Sequence, residues 1–153
     1  MAGNDQPLDA VDRDIIRILQ RNGRTSNTEI GRKLGLTETT IRKRIARLLD
    51  EDLVNIVAVP TPRAAGTTTS AIIGVSVQLG ELDAVAAEVA TWPEVRYLGL
   101  STGRYDLILE AFFKDSEHLL QFVSRGLGSL AGVTSVETSI ILRVSKFSYE
   151  WEV

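Results

Sequence analysis

Between Thr28 and Leu49 the chain reads TEIGRKLGLTETTIRKRIARLL. The spacing predicts two helices joined by a tight turn. Ser26 stands where an N-cap belongs, and Glu29, three residues on, would complete a capping box. Ile30 and Leu34 share one face at i, i+4. Gly35 suits the left-handed residue that closes such a helix, and Gly31 leaves room for a second helix to cross closely. Thr37 caps that second helix, with Leu36 and Ile41 at the two positions of a hydrophobic staple. These signals together predict a helix-turn-helix.

Turning the second helix at ~100° per residue separates its sides. Ile41, Ile45, Leu48 and Leu49 form one stripe and must face the core. Thr39, Lys43, Ala46 and Arg47 fall opposite it, with Thr40, Arg42 and Arg44 on the flanks. Cations and hydroxyls around a small residue suit the major groove, where Arg, Lys and Thr reach base edges and phosphates. An isolated basic face is ordinarily just solvated; here it coincides with a cap, a staple and a glycine turn, which favours DNA. The expected DNA-binding residues are Ser26, Asn27, Thr37, Thr39, Thr40, Arg42, Lys43, Arg44 and Arg47.

Charge is distributed to match. The net charge of −3 looks wrong for a DNA binder until the chain is divided. Residues 1–60 carry ten Lys and Arg against nine Asp and Glu, whereas residues 61–153 carry seven against eleven. From Thr37 to Leu49 four basic residues face Glu38 alone. The positive field is therefore local to the second helix, and one copy neutralises few phosphates, so binding as an oligomer is expected. With 153 residues and 44% hydrophobic content, one large or two small packed domains fit. The absence of cysteine excludes disulfides, zinc ribbons and thiol catalysis, and fits a reducing cytoplasm. The polar, acidic start carries no signal-peptide pattern, and the apolar runs are too short to span a membrane.

Working outward, residues 1–7 read as a disordered tip. Leu8, Val11, Ile15, Ile18 and Leu19 predict an amphipathic helix capped by Asp9 and stopped at Asn22-Gly23. Leu53 to Val59 is a β-rich run, either a wing strand or a strand leading to the next domain. A helix-turn-helix domain over 8–59 and a linker over 60–69, marked by Pro60, Pro62 and Gly66, follow. In the second half, residues 70–78, 95–101, 106–113 and 133–144 alternate as strands. Helices are expected over 82–91 and from Ser116, as its cap, to Leu127. The order β-α-β-β-α-β is the ferredoxin-like plan, so the fold class is α+β: an N-terminal, winged-helix-like helix-turn-helix domain and a C-terminal ferredoxin-like domain over 70–153. Its uncovered sheet face predicts dimerisation. The tail, alternating Phe147, Tyr149, Trp151 and Val153, is expected to add a strand to a partner.

Three segments, LDAVDRDIIRILQRNGR, SNTEIGRKLGLTETTIRKRIARL and STGRYDLILEAFF, carry a resemblance. In combination they are similar to the Lrp/AsnC family, the leucine-responsive or feast/famine transcriptional regulators, from Leu8 onward. The resemblance implies a helix-turn-helix reading double-stranded DNA in a homodimer that assembles to tetramers or octamers at the nucleoid. It also implies an effector domain that binds a small molecule, typically an amino acid, between dimers. By the same resemblance the effector site falls on Ser101, Thr102, Gly103, Arg104, Tyr105 and Asp106. Glycine lets backbone N–H groups approach a carboxylate, and Asp106 would receive an ammonium group. The plainer alternative is a hairpin turn at Gly103 with a local Arg104–Asp106 ion pair. Many relatives carry an acidic residue after the glycine where this chain has Arg104, which bears on ligand preference.

Catalysis finds no support. His118 is the only histidine, no triad or nucleophile elbow is present, and no ligand cluster suggests a metal or other cofactor. The alternative function is an architectural DNA-wrapping protein without ligand control.

Overall fold

The structure, a computed structural model, describes residues 8–62, 64–148 and 151–153. The expected tip over 1–7 and the tail residue Tyr149 lie outside the described residues. The chain divides into two compact units, one formed by the N-terminal residues to Ala58 together with the tail from Lys146, the other by Val59–Ser145.

The first unit is helical. α1 spans Ala10–Arg21, α2 Asn27–Leu34 and α3 Glu38–Asp50. Asp9 and Asp12 form the full reciprocal capping box of α1. Ser26 accepts from the Glu29 N–H at 3.2 Å, but the Glu29 carboxylate turns to Lys33 at 2.9 Å, so the expected reciprocal half at α2 is absent. Gly35 ends α2 in the left-handed region, at φ 69°. Gly31 sits under the turn, where a Cβ would lie 2.6 Å from the Leu36 carbonyl oxygen. Ile15, Ile16, Leu19, Ile30, Ile41 and Leu48 close the core, with Leu36 and Ile45 packed against it. Each such fully buried side chain contributes about 1.5–3 kcal/mol.

One expectation here is corrected. Leu53–Val59 forms no strand: it has no ladder partner in the single chain and stays irregular, leaving Ile56 and Val57 exposed. The tail residues 151–153 lie against the helices of their own chain. Val153 packs against the helical core, and its backbone oxygen accepts from Arg17 at 2.9 Å, as that of Trp151 does from Gln20 at 3.1 Å. The tail therefore groups with the helices rather than with the sheet domain.

The second unit holds β1 (Thr69–Val77), α4 (Leu82–Val89), β2 (Val95–Leu100), β3 (Leu107–Phe113), α5 (Ser116–Gln121) and β4 (Val133–Ile140). The sheet order is β2-β3-β1-β4 and every pairing is antiparallel. Ala71, Ile73, Val75 and Val77 alternate inward with Leu107, Leu109, Ala111 and Phe113, and the helices cover that face. The fold is thus the α+β combination of helix-turn-helix and ferredoxin-like domains. Ile72, Gly74, Ile108 and Glu137 occupy the opposite sheet face. Asp115, not Ser116, caps α5, accepting from the His118 N–H at 2.8 Å. The expected continuous helix to Leu127 instead widens into a π turn over Phe122–Gly126. That turn brings Phe122 and Leu127, five residues apart, both into the core.

Candidate functional site

α3 is held by its own ends and by α1. Thr37 accepts from the Thr40 N–H at 3.2 Å, and the two hydroxyls lie 2.9 Å apart, so both are spent on the cap. Thr28 donates to Glu38 at 3.2 Å, linking α2 to α3. Thr39, Arg42, Lys43 and Ala46 lie exposed along the helix, and neither Arg42 nor Lys43 has an ion-pair partner among the described residues. Ser26 and Asn27 sit at the start of α2, Ser26 exposed and Asn27 half-buried.

Arg44 and Arg47 behave differently from expectation. Asp12 on α1 is only 1% exposed, and its two carboxylate oxygens receive Arg44 Nη1 at 2.8 Å and Arg47 Nη2 at 2.5 Å. Arg44 also donates to Asp9 at 2.7 Å, and Arg47 to Glu51 at 3.3 Å. Arg47 was expected on the outward face; it turns instead toward α1 because a buried carboxylate there needs a cation. The Asp12 N–H, and then Arg44, hold the Asp9 carboxyl below the usual carboxylate range. The same two carboxylates push the Arg44 guanidinium further into its protonated form. The signal that would have found this network is Asp12 itself, three and four residues before the core positions Ile15 and Ile16, inside the apolar stripe of α1.

The loop between β2 and β3 brings residues 101–106 together. Gly103 has φ 137°, a conformation that favours glycine. The Ser101 N–H donates to the Asp106 carbonyl at 2.9 Å, closing the loop. Asp106 Oδ2 accepts from the Val77 N–H at 2.8 Å and its own N–H reaches the Val75 carbonyl at 3.0 Å, so the residue ties the loop to β1. One oxygen of the carboxylate proposed for an ammonium group is thereby occupied. Nor does Arg104 pair with Asp106: it meets Glu137 of β4 at 3.1 Å, and its guanidinium lies 5.4 Å from the Tyr105 ring centroid. The Tyr105 ring covers Gly74, where a Cβ would lie 2.5 Å from it. Its hydroxyl bonds Glu137, which raises the Tyr105 pKa above that of a free phenol. Ser101 and Thr102 contribute mainly backbone here.

Elsewhere, His118 lies half-buried with Nε2 2.9 Å from Glu94 and its ring edge-on to Phe113. Among the described residues no cluster of His, Cys, Asp and Glu could hold a metal ion, and no helix is long and apolar enough to cross a membrane.

Comparison with known proteins follows this division. The AsnC-type helix-turn-helix domain matches residues 8–49 and the Lrp/AsnC ligand binding domain matches residues 70–151. The chain belongs to the Lrp/AsnC family of transcriptional regulators. An uncharacterized HTH-type transcriptional regulator of Pyrococcus horikoshii is 36% identical over 143 residues, covering 93% of this chain and 90% of the relative. The HTH-type regulator FL11 of the same organism is 36% identical over 145 residues, covering 94% and 95%. The crystal structure of a Neisseria meningitidis transcriptional regulator in complex with L-Met superposes with a TM-score of 0.90 at 31% identity, covering 95% of this chain and 97% of that one. Its relatives and family identify the protein as a DNA-binding regulator of transcription and not an enzyme.

Proposed function

We propose that this regulator reads duplex DNA with the exposed face of α3, through Thr39, Arg42, Lys43 and Ala46, with Ser26 and Asn27 meeting phosphate at the start of α2. The observation that carries this reading is a helix side bearing two cations with no ion-pair partner among the described residues, around a small residue that allows close approach. Arg44 and Arg47 leave the set of reading residues, and Thr37 and Thr40 act as caps. The regulator works as a homodimer that assembles further on the cell's DNA. The uncovered sheet face, which exposes Ile72 and Tyr97, supports pairing of two copies.

The loop over 101–106 is proposed to bind an amino acid or related metabolite, with Arg104 as the carboxylate partner. The L-Met complex of the Neisseria relative supports that ligand class. The commitment of Arg104 to Glu137, and of Asp106 to β1, favours the second reading, an architectural DNA-wrapping protein without ligand control. A thermal-shift screen against the twenty amino acids and common keto acids separates the two. A ligand that binds only the folded state adds about RT ln(1 + [L]/Kd) to stability. The effector reading expects a hit that Arg104→Ala abolishes. A flat screen with DNA binding intact leaves the architectural reading.

A further inference from the structure

We infer that Asp12 is a positioning residue for DNA reading, fixing the angle at which α3 presents its face. The inference rests on the DNA-binding reading of α3 and extends it to a residue that meets no DNA.

The apolar contact of α1 with α3, made by Ile15, Ile16, Ile41 and Leu48, excludes water but is non-directional. Such a contact tolerates small rolls of one helix over the other. Asp12 removes that freedom. Its two oxygens are taken separately by guanidiniums from consecutive turns of one flank of α3, Arg44 on Oδ1 and Arg47 on Oδ2. Turning α3 about its axis in either sense lengthens at least one of these bonds, and sliding it lengthens the other. Arg47 is held at two nitrogens, Nη2 by Asp12 and Nη1 by Glu51, while Arg44 gives its Nη1 to both Asp12 and Asp9. The planar, delocalised guanidinium suits such fixing, since its donors are rigidly arranged. Three carboxylates thus surround two cations and offset their charge, which weakens the attraction of either arginine to phosphate. An apolar side chain at Asp12 would serve packing as well as an ion cluster does. What the cluster adds is direction.

The test uses the full chain and two duplexes: one selected by the wild-type protein from a random pool, and a shuffled duplex of the same length. Affinity for each is measured across a salt series for wild type and Asp12→Asn, at a temperature where circular dichroism shows both folded. The expected result is a selected-to-shuffled ratio about tenfold or more below wild type. The slope of log K against log[salt] should steepen by roughly one to two, because two arginines are released toward phosphates. A purely structural role would leave the ratio unmoved in the folded variant, whatever the released charge does to the slope. A ratio that stays or rises would overturn the inference and return Arg44 and Arg47 to the reading face. Should Asp12→Asn not fold, Asp9→Asn decides by the same criteria. It keeps a capping side chain and loosens only Arg44, so a smaller fall in the ratio is expected and an unchanged ratio overturns the inference. A wild-type chain that binds neither duplex sinks the DNA-binding reading, and this inference with it, whereas one that binds both alike overturns this inference alone.

Discussion

Two basic residues of α3, Lys43 and Arg47, are alike in sequence context but differ in what their loss should do. Arg47→Ala leaves the buried Asp12 carboxylate short of a cation, which costs about 3 kcal/mol, at the lower end for a broken buried pair because Arg44 remains. Urea unfolding of the helical unit measures it. Lys43→Ala, on the exposed side with no partner, should change stability by less than about 0.5 kcal/mol and weaken DNA binding by ~1–3 kcal/mol if it reads a base. Equal stability losses in the two variants would contradict the assignment. Asp9 adds a pH dependence. Its folded carboxyl is held below its unfolded value by the Asp12 N–H and Arg44, so its contribution is present above the unfolded pKa. It is lost as pH falls through the lowered folded value, so stability of the helical unit should decline below about pH 4. Asp9→Asn should flatten that decline in an acid titration followed by circular dichroism. At this scale the sequence was only partly legible. Amphipathic spacing assigns Arg44 and Arg47 to a side of α3 and marks Asp12 inside the apolar stripe of α1, but spacing within each helix does not say that these residues meet, because the crossing of the two helices decides it.

Caps, glycines and alternation carry over to structure when the partner is local, and fail when it is not. Ser26, Thr37 and Gly35 act within a few residues of themselves, so their expected roles appear in α2 and α3. The four strands fall within a few residues of the alternating runs that announced them, because one covered face enforces the period of two. The run from Leu53 to Val59 has the same apolar character but no strand beside it in a single chain, and it stays irregular. Within its own chain the tail meets the helices, Val153 packing against the helical core. The loop over 101–106 was legible as a turn at Gly103, whereas the tie from Asp106 to Val77 and the pair from Arg104 to Glu137 depend on strand register. Gly31 offers a test at this scale. A methyl there would lie 2.6 Å from the Leu36 carbonyl oxygen, a backbone atom in the turn itself. Gly31→Ala should therefore cost about 1–3 kcal/mol despite alanine's better helix propensity. A neutral or stabilising result in thermal unfolding would mean that α2 and the turn separate easily.

For the whole molecule the question is how an acidic chain holds DNA. With Arg44 and Arg47 neutralised by carboxylates and Lys33 paired with Glu29, the cations of α2 and α3 left without an ion pair among the described residues are Arg32, Arg42 and Lys43. Three phosphate contacts release too few counterions for tight binding: the slope of log K against log[salt] would be about −3. Two copies acting together double the contacts and bring the slope to about −5. They also offer two reading helices to one duplex, matching a two-fold site. The proposed pairing through the uncovered sheet face would place this requirement far along the chain from α3, in residues such as Ile72 that no DNA contact would explain. Ile72→Glu puts a charge where that face would be buried on pairing, while in one copy the side chain is 38% exposed and tolerates it. The variant should sediment as a smaller species, fold normally, and bind DNA with the slope near −3. A variant that loses assembly yet keeps the steeper slope would show that the missing cations come from elsewhere in the chain rather than from a second copy.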